Sequence, residues 1–257
     1  MPAIFHQEQG AGKPIVFFHG FCETSEVWSP LVNDLAGYAH AFFVDLPGFG
    51  KSELMPTPFS LEDIARCLWA WVDEQKIQNP VIIGHSLGGY VTLAMASQRP
   101  HDVAGFGLFH STALADSAEK MENRTKVIEF VSKNGVSPFI DTFVPSLFAD
   151  KNHPAIPGVD KMARATKKDT LLAYTAAMRD RPERVNLLHQ FEKPVLVLAG
   201  EKDGVIPVES LKNQAEKLKK GHFSVLGGVG HMGMYEDTSG TLKSIRAFFE
   251  ACLPATF

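Results

Sequence analysis

Hydrophobic residues in the first half of the chain are concentrated in short runs, and amphipathic stretches separate these runs. Four such runs, each bounded by Gly, Pro or Asp, cover residues 15–18, 41–44, 81–83 and 105–109. A short, continuous apolar run with these boundaries is typical of a strand that is buried on both faces of a sheet. The pattern therefore predicts four central strands in this half of the chain.

Two of the stretches between these runs have the spacing of amphipathic helices. Ser60 is placed to cap a helix whose apolar residues share one face, namely Leu61, Ile64, Leu68 and either Trp71 or Val72. A second helix is predicted over residues 87–98 and ends at Arg99-Pro100. Strands that alternate with helices along the chain predict an α/β fold with a parallel sheet and crossover helices.

The strand and helix pattern returns near the C-terminus. Residues 195–199, which follow Pro194, and residues 222–226 are predicted to form two further strands. Residues 242–253 have the spacing of a closing amphipathic helix. The C-terminal part of the chain is therefore expected to complete the same sheet.

Residues 112–188 have a different character from both flanking parts. They contain charged helical stretches at 118–133 and 161–178, several prolines and no buried apolar run. We interpret them as a helical cap inserted into one α/β core, not as an independent domain. The core would consist of residues 1–111 and 189–257.

Composition and charge exclude several classes of function. The chain has 257 residues, of which 45% are hydrophobic and 21% are charged, with a net charge of −4, as in ordinary soluble globular proteins. A nucleic-acid partner is not expected because such proteins usually carry a basic patch. No stretch approaches the roughly 18 apolar residues that a membrane span needs, and no signal peptide is visible. The three cysteines, Cys22, Cys67 and Cys252, lack metal-ligand spacing, so we expect reduced thiols, no metal site and a cytoplasmic protein.

One motif carries candidate chemistry. Gly84-His85-Ser86-Leu87-Gly88 fits the Gly-x-Ser-x-Gly pattern, with a predicted strand directly before it and a predicted helix directly after it. In this context the pattern predicts a tight strand-to-helix turn that exposes the serine hydroxyl above the sheet edge. The backbone N–H of Leu87, at the helix N-terminus, would be free to stabilise an oxyanion. Ser86 is therefore the candidate nucleophile.

A serine nucleophile needs a general base and a carboxylate that orients the base. Among ten histidines, His231 is selected because it lies in a glycine-rich loop just beyond the last predicted strand. Asp203 follows the strand at 195–199 and gives the chain order Ser, Asp, His, with Glu201 as its main rival. Asp45 also follows a strand, but its neighbouring loop favours a structural role.

The second oxyanion donor is expected in the loop after the first central strand. His19-Gly20-Phe21 occupies that place, and the backbone N–H of Phe21 is the candidate. His19 is either a polar brace beneath this loop or a core histidine with satisfied hydrogen bonds. His85, next to the candidate nucleophile, is expected to shape the turn and not to transfer protons.

Five sequence elements in this order resemble those of the α/β-hydrolase superfamily. They are Phe17-Phe18-His19-Gly20-Phe21, Val44-Asp45-Leu46-Pro47-Gly48-Phe49-Gly50-Lys51-Ser52, residues 84–89, residues 200–203 and Gly230-His231. The resemblance implies an α/β-hydrolase fold with a mostly parallel, eight-stranded sheet flanked by helices and with a helical cap after the sixth strand. It also implies catalysis through Ser86, Asp203 and His231 without a cofactor.

Within the superfamily, the chain is most similar to the group of carboxylesterases, enol-lactonases and acyl-carrier methyl-ester esterases. Serine at position 86 disfavours the haloalkane dehalogenases and epoxide hydrolases, which use aspartate there. The expected function is hydrolysis of a small-molecule carboxylic ester or related acyl compound through an acyl-enzyme intermediate. Lactonases and cofactor-free perhydrolases or haloperoxidases share the whole triad and are alternatives. A small-ligand receptor on a hydrolase fold is an alternative of another class.

The substrate pocket is expected between the core and the cap. Phe139, Phe143 and Phe148 of the cap, and Met232 beside the candidate base, are the candidate substrate contacts. The same side chains could equally form the small core of the cap.

Overall fold

The computed structural model describes residues 2–253, in which seven strands form one sheet. The strands are β1 (His6–Gly10), β2 (Pro14–Phe18), β3 (His40–Val44), β4 (Val81–His85), β5 (Gly105–Phe109), β6 (Val195–Gly200) and β7 (Gly221–Leu226). Their order is β1-β3-β2-β4-β5-β6-β7, and only β1 runs antiparallel to its neighbour. The chain therefore winds outward in both directions from β2, and the carboxyl ends of the strands next to such a switch point form a natural crevice.

The six predicted strands are confirmed, but the expected number of eight strands is wrong for the described residues. Residues 2–5, which precede β1, do not pair with β1 as a further strand. They lie along the loop after β3 instead, because Ala3 and Phe5 accept backbone hydrogen bonds from Glu53 and Asp45, respectively. The sequence pattern missed β1 because this edge strand is polar and largely exposed.

Eleven α-helices lie in residues 2–253. They are α1 (Val32–Ala36), α2 (Leu61–Glu74), α3 (Leu87–Gln98), α4 (Ala118–Asn134), α5 (Ser137–Leu147), α6 (Ile156–Arg164), α7 (Lys168–Arg179), α8 (Val185–Gln190), α9 (Val208–Ala215), α10 (Gly233–Glu236) and α11 (Thr238–Ala251). None of them is long and apolar enough to cross a bilayer.

The two helices predicted in the first half are confirmed, and their ends have clear physical causes. Ser60 and Asp63 form a capping box at the start of α2, in which each side chain accepts a hydrogen bond from the other residue's backbone N–H. Helix α3 covers residues 87–98 and is buried along most of its length, so it forms the centre of the core beneath the sheet edge.

Five helices, α4 to α8, occupy the chain between β5 and β6. The predicted helical stretch 161–178 is divided into α6 and α7 because Lys167 has an extended backbone. Helix α7 is fixed to the loop after β3, since Tyr174 and Thr170 donate hydrogen bonds to the carbonyls of Pro47 (2.9 Å) and Gly48 (3.0 Å). These contacts hold α7 close to the carboxyl edge of the sheet.

The three cysteines are free and buried. This confirms the expectation that none of them forms a disulfide bond.

Candidate active site

Ser86 is the single residue between the end of β4 and the start of α3. Its backbone has φ 49° and ψ −111°, a conformation that side chains rarely adopt and that costs free energy. The turn is tight because a Cβ atom at Gly84 would collide with the backbone of Gly88, and one at Gly88 would collide with Phe18. The predicted strand–turn–helix context of Ser86 is therefore confirmed.

Hydrogen bonds fix the backbone of Ser86 to the neighbouring strand. Its N–H donates to the carbonyl of Phe109 (2.9 Å), and its carbonyl accepts from the Ser111 hydroxyl (2.7 Å). The Ser86 hydroxyl has no hydrogen-bond partner among residues 2–253. The side chain is half-buried and borders a cavity, so its hydroxyl is accessible to a small molecule.

His231 and Asp203 form a buried hydrogen bond, with Nδ1 of the imidazole 2.7 Å from Oδ2 of the carboxylate. The other carboxylate oxygen accepts from the N–H groups of Val205 (2.8 Å) and Ile206 (3.0 Å). His231 lines the same cavity as Ser86. The structure thus brings the three predicted residues to one place, although the serine hydroxyl and the imidazole are not hydrogen bonded to each other.

Glu201, the rival of Asp203, lies outside this cluster. Its side chain is exposed and accepts a hydrogen bond from the N–H of Gly228 (2.7 Å). It therefore holds the loop ahead of His231 and does not contact the imidazole.

A third histidine, His110, is packed beside the Asp203–His231 pair. Its Nδ1 lies 3.4 Å from Oδ2 of Asp203, and its Nε2 accepts the N–H of Gly233 (3.3 Å). Burial lowers the pKa of His110 to about 4, so the ring is neutral at pH 7 with its proton on Nδ1. Sequence reasoning missed His110, although its place directly after β5 was a usable signal.

The ionised form of Asp203 is strongly favoured. Burial alone would raise the pKa of this carboxyl, but the adjacent His231 and His110 rings outweigh burial and hold the pKa well below its usual range. An ionised carboxylate next to Nδ1 fixes the imidazole tautomer in which Nε2 is free to accept a proton.

His110, Asp203 and His231 are also a group of side chains whose ligand atoms lie close enough to hold a metal ion. Their geometry does not fit one. Two ligand atoms of a tetrahedral zinc are more than about 3 Å apart, whereas the imidazole and carboxylate of His231 and Asp203 are 2.7 Å apart. Nδ1 of His110 carries a proton, so it has no lone pair for a metal. The contact between Asp203 and His231 is a hydrogen bond.

Glu23 and His85 form a second buried pair next to the first. Oε2 of Glu23 accepts from Nδ1 of His85 (2.9 Å) and from the N–H of Gly20 (2.6 Å), while Nε2 of His85 donates to the carbonyl of His231 (2.9 Å). Both ring nitrogens of His85 therefore face acceptors, which requires the imidazolium form. Burial opposes charge on both groups, but their mutual attraction wins, raising the pKa of His85 and lowering that of Glu23.

Phe21, in the loop after β2, lines the same cavity as Ser86. Neither the N–H of Phe21 nor that of Leu87 has an acceptor among the described residues. His19 braces the loop, because its Nδ1–H donates to the carbonyl of Gly20 (2.8 Å) and its Nε2 accepts from Leu46 (2.9 Å). Both interpretations of His19 therefore hold: it is a satisfied core histidine and it supports this loop.

Two adjoining cavities open onto these residues. The inner cavity, of about 70 Å³, is lined by Phe21, Glu23, Ser86, Tyr90, Arg124, Phe143, Leu147, Met178, Val205 and His231. The outer cavity, of about 250 Å³, shares five of these residues, namely Phe21, Tyr90, Arg124, Phe143 and Val205. Helices α4, α5 and α7 provide much of the wall of both.

The four candidate substrate contacts are divided by the structure. Phe143 lines both cavities, and Phe139, which stacks on it, lines the outer one. Phe148 lines neither cavity, because its buried ring stacks on His153. Met232 also lines neither, because it precedes α10 with its side chain fully buried.

Comparisons with known proteins identify the family of the chain. The profile of the Alpha/beta hydrolase family matches residues 15–241. Pimeloyl-acyl carrier protein methyl ester esterase of Pseudoalteromonas atlantica is 26% identical over 83% of this chain and 84% of its own length. Lipase 1 of Psychrobacter immobilis is 24% identical over 94% of this chain and 79% of its own length.

Among solved structures, a thermophilic esterase from Thermogutta terrifontis superposes with a TM-score of 0.93 at 27% identity. The superposition covers 98% of this chain and 94% of that one. Because the family profile spans residues 15–241, which is most of the chain, the protein belongs to the alpha/beta hydrolase family, in which it is similar to esterases and lipases.

Proposed function

We propose that the protein is a serine hydrolase that cleaves carboxylic esters through an acyl-enzyme intermediate. The observation that carries this proposal is the 2.7 Å hydrogen bond between Asp203 and His231 beside a cavity that the Ser86 hydroxyl also lines. A nucleophile, a base and a carboxylate that orients the base are the parts that acyl transfer requires.

In the first half of the reaction, the Ser86 oxygen attacks the ester carbonyl carbon. Nε2 of His231 takes the hydroxyl proton as the new C–O bond forms, and the carbonyl oxygen becomes an oxyanion. The bond to the alcohol then breaks, the alcohol oxygen leaves with the proton from His231, and the acyl group stays on Ser86. Asp203 stabilises the imidazolium that exists between these two proton transfers.

The second half repeats the same steps with water as the nucleophile. His231 accepts a proton from water, whose oxygen attacks the acyl carbon. The bond to Ser86 then breaks, and the serine oxygen recovers its proton from His231. The acid is released, and no cofactor takes part in either half.

The N–H groups of Phe21 and Leu87 are the proposed oxyanion donors. Both lack an acceptor among residues 2–253, and Leu87 is the first residue of a helix, where the helix dipole adds positive potential. A donor of this kind contributes roughly 3 kcal/mol to transition-state stabilisation, or about 10²- to 10³-fold in rate.

Residues 112–188 are the proposed cap over the substrate site. Phe139 and Phe143, which line the cavities, are its proposed acyl contacts, together with Leu147 and Met178 of the inner cavity. Phe148 and Met232 would influence substrate indirectly, by fixing the positions of α5 and of the loop that carries His231.

The names of the relatives support ester hydrolysis. They are a methyl ester esterase, a lipase and a thermophilic esterase, all names for enzymes that act on esters. The relatives are 24–27% identical and cover at least 83% of this chain.

The proposal is tested with p-nitrophenyl esters of increasing acyl length, a lactone panel and a fluorophosphonate label. We expect ester turnover and labelling in the wild type, and neither in the Ser86→Ala variant. Ser97→Ala, an exposed serine on the same helix, is the matched control and should retain both. Undiminished ester turnover by Ser86→Ala would refute the assignment of Ser86 as the nucleophile. Turnover of lactones but not of open-chain esters by the wild type would show that the substrates are lactones.

A further inference from the structure

Arg124 stands in the wall between the two cavities. It lines the inner cavity together with Ser86 and the outer cavity together with other residues of α4. Its side chain is 23% exposed, so the guanidinium is not sealed into the protein. A cation at this place would meet any molecule that reaches from the outer cavity to the serine.

The face of α4 that borders the outer cavity is polar. Lys120, Asn123, Arg124 and Val127 line this cavity, and their spacing of i, i+3, i+4 and i+7 places them on one side of the helix. The same helix leaves Met121 and Phe130 exposed to solvent, 39% and 43%, respectively. Packing alone would turn the apolar side chains inward. Lys120 and Asn123 are exposed, so Arg124 is the polar residue of this side that is partly buried at the cavity.

The hydrogen bonds of Arg124 leave much of its donor capacity unused. Its Nε donates to Oδ2 of Asp116, and Oδ1 of the same carboxylate is paired with Arg181 (2.8 Å). Two guanidinium groups thus share one carboxylate, and one positive charge remains unbalanced. Within the described part of the chain, the two terminal amino groups of Arg124 have no acceptor.

Asp116 lines the outer cavity, and Glu23, the carboxylate that lines the inner cavity, is already paired. Glu23 accepts from His85 and from the N–H of Gly20, as described above. The charge available to a ligand is therefore positive, beside walls formed largely by Phe, Tyr and Val side chains. A cation bordered by apolar surface gains most from an anionic partner, and a guanidinium binds a carboxylate through two parallel hydrogen bonds.

From these contacts we propose that Arg124 binds a free carboxylate on the substrate, so that the preferred substrates are esters that also carry a carboxylate. The ester carbonyl of the substrate would lie at Ser86 in the inner cavity. The free carboxylate of the same substrate would reach Arg124, where the inner cavity meets the outer cavity. This inference rests on the proposed ester hydrolysis and names its substrate class.

The first test compares anionic esters with neutral analogues of the same shape. One series carries the carboxylate in the acyl half (monomethyl adipate and longer homologues), the other in the alcohol half (the acetate ester of 5-hydroxypentanoate). Each is paired with its primary amide, and acid release is followed by pH-stat. We expect the wild type to favour the anionic member of at least one series by about 10- to 100-fold in kcat/KM.

Variants of Arg124 and a control on the same helix decide the role of the residue. In Arg124→Gln the ratio of anionic to neutral kcat/KM should fall to about one, while Arg124→Lys should keep part of it. Lys126→Gln removes an exposed cation that is paired with Glu122, and it should leave the ratio unchanged. A wild-type ratio near one in both series, or a ratio that survives in Arg124→Gln, would overturn the proposal.

A binding measurement separates this inference from the proposed function. Calorimetry on Ser86→Ala and on Ser86→Ala with Arg124→Gln gives Kd for the same substrate pairs without turnover. We expect the anionic esters to bind about 10-fold or more tightly than the amides only when Arg124 is present. Equal Kd values for both members in Ser86→Ala, in which Arg124 is intact, would refute the role of Arg124, whereas ester turnover by Ser86→Ala would refute the nucleophile alone.

Discussion

Glu23 and His85 form a buried ion pair that joins three loops of the candidate site. Glu23 holds the N–H of Gly20 in the loop that carries Phe21, His85 lies directly before Ser86, and the same imidazolium donates to the carbonyl of His231. One carboxylate and one ring therefore set the relative positions of the proposed oxyanion donor, nucleophile and base. We infer that the pair positions these groups and does not itself transfer protons to substrate.

Replacing Glu23 tests this positioning role. In Glu23→Gln the isosteric amide oxygen still accepts from Gly20 and His85, but His85 loses its charge partner. We expect kcat for ester hydrolysis to fall by up to about 100-fold with a small change in KM, because displacements of about 1 Å have effects of this size. Glu26→Gln, an exposed residue of the same loop, is the control. Wild-type kcat in a folded Glu23→Gln variant, verified by circular dichroism, would contradict the inference.

A second prediction separates the two acidic candidates after β6. Asp203→Asn keeps the shape of the side chain but no longer fixes the His231 tautomer, so kcat should fall by about 10⁴-fold. Glu201→Gln still accepts the N–H of Gly228 and should retain most of the activity. Steady-state kinetics on one p-nitrophenyl ester measures both. Equal losses of kcat in the two variants would show that the carboxylate of Asp203 does not orient the His231 imidazole.

A third prediction concerns the wall that the proposed cap contributes. Phe143→Ala enlarges both cavities, so the acyl-length optimum should move to longer chains, and kcat/KM for short apolar esters should fall by about 10-fold. Phe130→Ala changes an exposed phenylalanine of α4 and should leave the acyl-length profile unaltered. An unchanged profile in Phe143→Ala would place the acyl group elsewhere.

The buried neutral histidines make the fold sensitive to acid. The pKa of His110 falls from 6.5 in the unfolded chain to about 4 in the folded protein, and burial also lowers the pKa of His19. The unfolded state therefore binds more protons between these values. The stabilising contribution of His110 is complete above pH 6.5 and is lost as the pH falls through about 4.

Urea unfolding at pH 7.5 and pH 4.5 measures this contribution. The free energy of unfolding should decrease at the lower pH, and the decrease should be smaller in His110→Gln by roughly 2–3 kcal/mol. His101→Gln, at an exposed position, should behave like the wild type. An identical decrease in His110→Gln would show that this ring does not control acid stability.

The sequence alone predicted the parts of the fold whose pattern is local. Strands β2 to β6 are largely apolar on both faces, β7 has Phe223, Val225 and Leu226, and α2 and α3 have clear ends, so each can be recognised within its own residues. Strand β1 is recognised only from its pairing with β3, because its own side chains are polar and exposed. The seven-stranded sheet differs from the expected one at this same edge.

The residues of the candidate site also differ in whether the local sequence pattern predicts them. Ser86 directly follows β4, and Asp203 and His231 lie in the loops after β6 and β7. A position after a predicted strand is a signal visible in the sequence. Glu23 and Arg124 carry no such signal for their roles, because each depends on a partner remote in the chain, whereas His110 directly follows β5 and could have been found. Glu23 and His85, for example, are 62 positions apart. Their pairing becomes visible only when the strands are assembled.

The backbone angles of Ser86 lower the stability of the folded protein. A side chain in this conformation costs on the order of 1–3 kcal/mol, whereas glycine adopts it freely. A lineage that no longer needed the hydroxyl would gain stability by a change to glycine. Under the proposed function, the chain therefore keeps a reactive hydroxyl at position 86 at a cost in stability.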